Sequence, residues 1–94
     1  MQAACTLDAA ARRERYAGWG AVLRQAVQRE EIAGGTRYRF PAGEDLERRL
    51  RALAAAELEC CSFYDLAVAR REDSVELTVT APPAAQDRLR SLFR

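Results

Sequence analysis

The sequence predicts an α+β fold: a two-layer sandwich in the order α-β-α-β-β-α, with helices packed on one face of a small, mainly antiparallel sheet. Three observations predict it. Leu46 to Cys61 carries apolar residues at helical spacing, as do the segments around Trp19 and Leu89. Thr36 to Phe40 and Phe63 to Thr80 instead alternate, as half-buried strands do. Connections are short, without repeats, linkers or low-complexity segments, so residues 1–94 read as one domain.

The elements follow in order. Residues 6 to about 32 read as a first helix, with Thr6 as N-cap, Asp8 at its positive end and Gly34-Gly35 as the stop. Tyr16, Trp19, Leu23, Ala26 and Val27 make its apolar face. In Thr36–Phe40, Tyr38 and Phe40 share one side, Arg37 and Arg39 the other, and Pro41 closes the strand. A second helix runs from about Glu44 to Cys61. Phe63–Arg70 and Val75–Thr80 then form a hairpin across Arg71-Glu72-Asp73-Ser74. Tyr64, Leu66 and Val68 face inward in its first arm, and Val75, Leu77 and Val79 in its second. Pro82-Pro83 opens a short last helix whose inner stripe is Ala85, Leu89, Leu92 and Phe93.

Composition excludes several classes. Fifteen basic residues oppose fourteen acidic ones, and a net charge of +1 provides no attraction to nucleic acid or anionic membrane. All the basic residues are Arg, and Asn is absent, a pattern of GC-rich coding more than of a phosphate-reading surface. No run of about eighteen apolar residues and no leader is present, so a soluble, cytoplasmic chain is expected. Without histidine there is no Ser/His/Asp or Cys/His arrangement, and no glycine-rich phosphate loop occurs. No catalytic residue and no organic cofactor is assigned, and an enzyme is the less favoured class.

The second helix holds the most informative residue. At about 100° per residue, Leu46, Leu50, Leu53 and Ala54 fall near the centre of one stripe. Glu57 falls there too, and Cys61 one turn later. A carboxylate in a core stripe is costly unless paired or neutralised. Three readings compete: Glu57 sits where the stripe leaves the core, or pairs with Arg12, Arg37 or Arg39, or stands beside the thiols as proton acceptor or oxygen ligand. Arg12 is the most concrete partner, being on the helix face of Tyr16 and Leu23. Arg37 and Arg39 either hold an anion or cover the exposed side of the sheet.

Cys60 and Cys61 are adjacent, too close for an unstrained disulfide, and the three cysteines exclude a fully paired framework within one chain. The negative end of the second helix opposes thiolate at Cys60 and Cys61, whereas Cys5 stands before the positive end of the first. Antiparallel packing of those helices would gather all three. Three sulfurs without histidine suit soft ions better than four-coordinate zinc: Cu(I) by ligand softness, and by the same logic Hg(II) or As(III).

With these residues in view, the chain resembles a group of small bacterial proteins and protein tails. Their outline is a Cys-Thr-Leu start, an Arg and a Trp in the first helix, an Arg-Phe strand, Glu-x-x-Cys-Cys-x-Phe, an alternating hairpin and a Pro-containing last helix. Here those are Cys5-Thr6-Leu7, Arg12 or Arg15, Trp19, Arg39-Phe40, Glu57 with Cys60-Cys61 and Phe63, Leu77–Thr80, and Pro82. Similar segments occur alone or behind MerR-type regulator domains, which implies a link to metal or stress response without assigning a ligand. Ser62 stands where relatives often have Pro, and Ala81 where Gly is common.

The expectation is thus a small cytoplasmic thiol protein binding a soft metal or metalloid ion through Cys5, Cys60 and Cys61. Glu57 would be an auxiliary ligand or base, with Arg12, Arg37 or Arg39 beside the anionic sulfurs. The alternatives are a thiol redox switch, with Cys60 or Cys61 attacking and Cys5 resolving, or an interaction module with structural cysteines. The metal ion is the expected partner. An edge strand and the last helix offer surfaces for a homodimer.

Overall fold

Alternation and helical periodicity convert directly into two layers. The computed structural model describes residues 9–60 and 64–93. It comprises α1 (Ala9–Leu23), β1 (Gln28–Ile32), β2 (Gly35–Pro41), α2 (Glu44–Cys60), β3 (Asp65–Arg70), β4 (Ser74–Thr80) and α3 (Gln86–Leu92), with a 3-10 turn, Pro83–Ala85, leading into α3. The four strands form one sheet in the order β1-β2-β4-β3, every neighbour antiparallel. Because β2 and β3 both oppose β4, they run parallel to each other. Helix α2 is therefore the crossover of a split β-α-β unit with β4 inserted between its strands.

One face of the sheet carries the core. Tyr38 and Phe40 of β2, Leu66 of β3 and Val75, Leu77 and Val79 of β4 form a single cluster with Trp19 and Val22 of α1, Leu50 and Ala54 of α2, and Leu89 and Leu92 of α3. The predicted inward sets of β2, β3 and β4 and the stripe of the last helix are all buried or partly buried there. The α+β architecture matches the expectation.

The element order does not. It is α-β-β-α-β-β-α, because residues 28–32, predicted as the end of the first helix, form strand β1. Gln25 N–H donates to Val22 O at 2.9 Å and Ala26 N–H to Leu23 O at 3.1 Å, closing the helix in tight turns. Val27 N–H then donates to Arg39 O at 2.8 Å and begins the ladder with β2. Gln-Arg-Glu-Glu-Ile has helical propensity, but pairing along five positions of β2 overrides it. Gly34-Gly35 accordingly belongs to a hairpin rather than a helix stop. Gly34 has φ 78°, a conformation suited to glycine. At Gly35 a Cβ would lie 1.7 Å from Val79 O, so no side chain fits where β2 crosses close to β4. The Gln86 amide donates to Gly34 O at 2.9 Å and Ala81 O at 2.7 Å, tying this hairpin to the start of α3.

The face of α1 also differs from its predicted phase. Trp19 and Val22 are completely buried, whereas Tyr16 and Val27 are 41% and 61% exposed. Of the predicted face, Trp19, Leu23 and Ala26 pack into or against the core, while Val22 and partly buried Arg15 replace Tyr16 and Val27, a small rotation of the helix about its axis. Thr6 and Asp8, the predicted cap residues, lie outside the described residues.

Candidate functional site

Helix α2 starts after Pro41-Ala42-Gly43 with Glu44, Asp45 and Glu47 in its first turn, where acid complements the helix dipole. Its inner stripe then brings Leu50, Ala54 and Glu57 under the sheet, all buried. Glu57 is only 3% exposed, so its carboxylate has exchanged nearly all its water for protein donors.

Two of those donors come from α1. Trp19 Nε1–H donates to Glu57 Oε1 at 3.1 Å. Arg15 Nη1–H donates to the same oxygen, also at 3.1 Å. Arg15 stands four residues before Trp19, one helical turn, so burying the indole aims the guanidinium at the same point. The pair is nearly dry, with side-chain exposures of 17% for Arg15 and 4% for Glu57. An uncompensated charge there would be strongly unfavourable, and the two donors supply the compensation.

Aromatic packing holds the indole in place. The Trp19 ring meets Phe93 edge-on at 4.7 Å between centroids, and Phe93 meets Tyr64 edge-on at 6.3 Å. Tyr64 is buried and follows immediately on residues 61–63. The clamp thus joins α1, α2, the end of α3 and the chain entering β3.

The same contacts give the direction of the two helices. Arg15 meets Glu57, while a Cβ on Gly18 would touch Leu53 Cδ2 at 3.5 Å. Earlier residues of α1 thus face later residues of α2, so the helices are antiparallel. From Arg15 back to Ala9 is about 9 Å of helix, and from Glu57 on to Cys60 about 4.5 Å. The described start of α1 and the described end of α2 therefore point toward one end of the molecule.

The predicted site residues divide accordingly. Glu57 is buried in the stripe and paired with arginine, but the partner is Arg15, not Arg12, Arg37 or Arg39. Arg37 and Arg39 project from the sheet face opposite the core. Arg37 Nη1 pairs there with Glu30 Oε1 at 2.9 Å, and Arg39 is exposed opposite Glu76. The sheet itself separates both from Glu57. Arg12 is exposed on α1. Cys60 ends α2, whereas Cys5 and Cys61 lie outside the described residues, so the predicted sulfur cluster does too. Among the described residues no group of three or more His, Cys, Asp or Glu comes together. Arg15, which the resemblance offered beside Arg12, was not among the predicted partners of Glu57. Its signal was the spacing of four from Trp19, the one tryptophan of the chain.

No helix among the described residues is long and apolar enough to cross a membrane. No protein-family model matches the chain, and no curated protein or solved structure matches it either.

Proposed function

We propose that this chain binds a soft metal or metalloid ion of the Cu(I), Hg(II) or As(III) class through Cys60 and Cys61, with Cys5 as third thiolate. One observation carries the reading: the antiparallel Arg15–Glu57–Trp19 clamp between α1 and α2. It lies one helical turn before Cys60, at the end of the molecule toward which the start of α1 points. Cys5 precedes that start by four residues.

In this reading Glu57 is a positioning residue. Its Oε1 already accepts two hydrogen bonds, and it holds the two helices in the relation that brings the thiols together. Arg15 takes the pairing with Glu57 expected of Arg12, Arg37 or Arg39, and the bound cation itself offsets the helix dipole that opposes thiolate there. Hg(II) capture by two thiols replaces two S–H bonds by two S–Hg bonds and releases two protons, so affinity falls as pH is lowered. Arsenous acid condensing with three thiols releases three waters.

Titration of the reduced protein with Hg(II), Cu(I) or arsenite tests this, with free-thiol counting and Trp19 fluorescence as readouts. Stoichiometric protection of two or three thiols with a fluorescence change is expected, abolished by Cys60→Ser with Cys61→Ser. Peroxide-driven bridging of Cys5 to Cys60 or Cys61 without metal affinity would make the protein a redox switch instead. Thiols inert to both reagents would leave only structural cysteines.

A further inference from the structure

The sheet has two edges of opposite character. The β1 edge runs Gln-Arg-Glu-Glu-Ile, with exposed Arg29, Glu30 and Glu31 in succession. Charges so placed discourage another strand from adding. The β3 edge runs Asp-Leu-Ala-Val-Ala-Arg, four apolar residues between one acid and one base. Ala67 is exposed, and Val68 and Ala69 are partly so. Among the described residues, no backbone hydrogen bond from outside the sheet reaches residues 65–70. Among the described residues, the outer edge of β3 is thus an open row of peptide groups flanked by small side chains.

We propose that β3 pairs antiparallel with β3 of a second copy of this chain, centred on Val68, joining two four-stranded sheets across a two-fold axis. Opposed residues in such a ladder share a face, so a symmetric register must centre on a residue. Centring on Val68 sets Ala67 opposite Ala69 of the second copy, where the small side chains permit close approach. It also sets Asp65 opposite Arg71 of the second copy, and symmetry makes that pair twice. Both side chains lie on the outer face: Asp65 alternates with buried Leu66, and Arg71 Nε–H donates to Glu76 Oε1 at 3.2 Å there. Centring on Ala67 would face Asp65 with Ala69 and give it no base, while Arg71 would keep only Glu76 of its own chain. The strand's own charges therefore choose the register, and the charged β1 edge directs pairing to β3.

Sedimentation velocity over a range of concentrations, with amide exchange on the same samples, tests this. Dimerisation is expected, with protection of amides 65–71 rising with concentration while those of 28–32 stay constant. Asp65→Arg should raise the dimer dissociation constant at least about tenfold, since two attractive pairs become two repulsive ones. Adding Arg71→Asp should restore most of the loss. Circular dichroism of dilute samples checks that each variant is folded. A monomer at every concentration, protection rising at β1, or a dimer indifferent to Asp65→Arg would each overturn the proposal.

Discussion

Glu47 and Glu57 stand on the same helix, both meet arginine, and the two sites work differently. Glu47 has more charge around it. Its Oε2 accepts from Arg51 Nε at 2.9 Å, and its Oε1 from Arg70 Nε at 2.7 Å. Both arginine side chains are more than half exposed, at 52% and 61%. Hydrogen bonds from Arg70 and then Arg51 hold the Glu47 carboxyl below its usual range. Water and salt nonetheless reach both arginines, so this network contributes little to stability. Glu57 has one arginine and a neutral indole, but almost no water. What decides the weight of a carboxylate here is the surrounding dielectric more than the number of partners.

The largest expected effect is that of Glu57→Ala. It leaves the Trp19 N–H and the partly buried Arg15 guanidinium without their acceptor, and about 3 kcal/mol of stability should be lost. Denaturant melts measure it, and a loss no larger than that of Glu47→Ala would erase the contrast between the two sites. Glu57→Gln keeps an oxygen for both donors while removing the charge, so it should cost less, about 1–2 kcal/mol. A double-mutant cycle with Arg15→Met should then show coupling that survives 1 M salt. The corresponding cycle of Glu47 with Arg51 should fade in salt.

The smallest effect is the pH dependence at Glu47. Its carboxyl is depressed in the folded state, so its contribution is complete above the unfolded value of about 4.3 and is lost as pH falls through the folded value. Glu47→Gln should therefore be destabilising near neutrality, with the difference from the parent shrinking as acid is added. A difference that instead grew in acid would reverse the assignment.

Legibility from sequence tracked the range of the interaction. The inward faces of β2, β3 and β4 follow from strict alternation, because successive side chains in a strand must point to opposite sides. Leu50, Ala54 and Glu57 could be placed on one stripe for the same kind of reason, since helical spacing is local geometry. The identity of the arginine beside Glu57 was not available in this way. Arg12 and Arg15 sit within one turn of α1, about 4.5 Å apart along its axis and about 60° apart around it, so the docking of that helix decides between them. That docking includes Trp19 seated against Phe93, a contact between residues far apart in the chain. β1 was hidden for a similar reason, since its partner strand rather than its own residues makes it extended.

The sequence by itself determined that an acid would occupy the core stripe of α2, one turn before Cys60, and which faces of three strands would be buried. It determined these because periodicity depends only on backbone geometry and on the free energy of hiding apolar surface. Only the tertiary structure decided that residues 28–32 are sheet, that Arg15 and Trp19 compensate Glu57, and that Arg37 and Arg39 stand across the sheet from it. Those outcomes rest on contacts between residues far apart in the chain, and no local propensity of about 1 kcal/mol or less per residue can specify them.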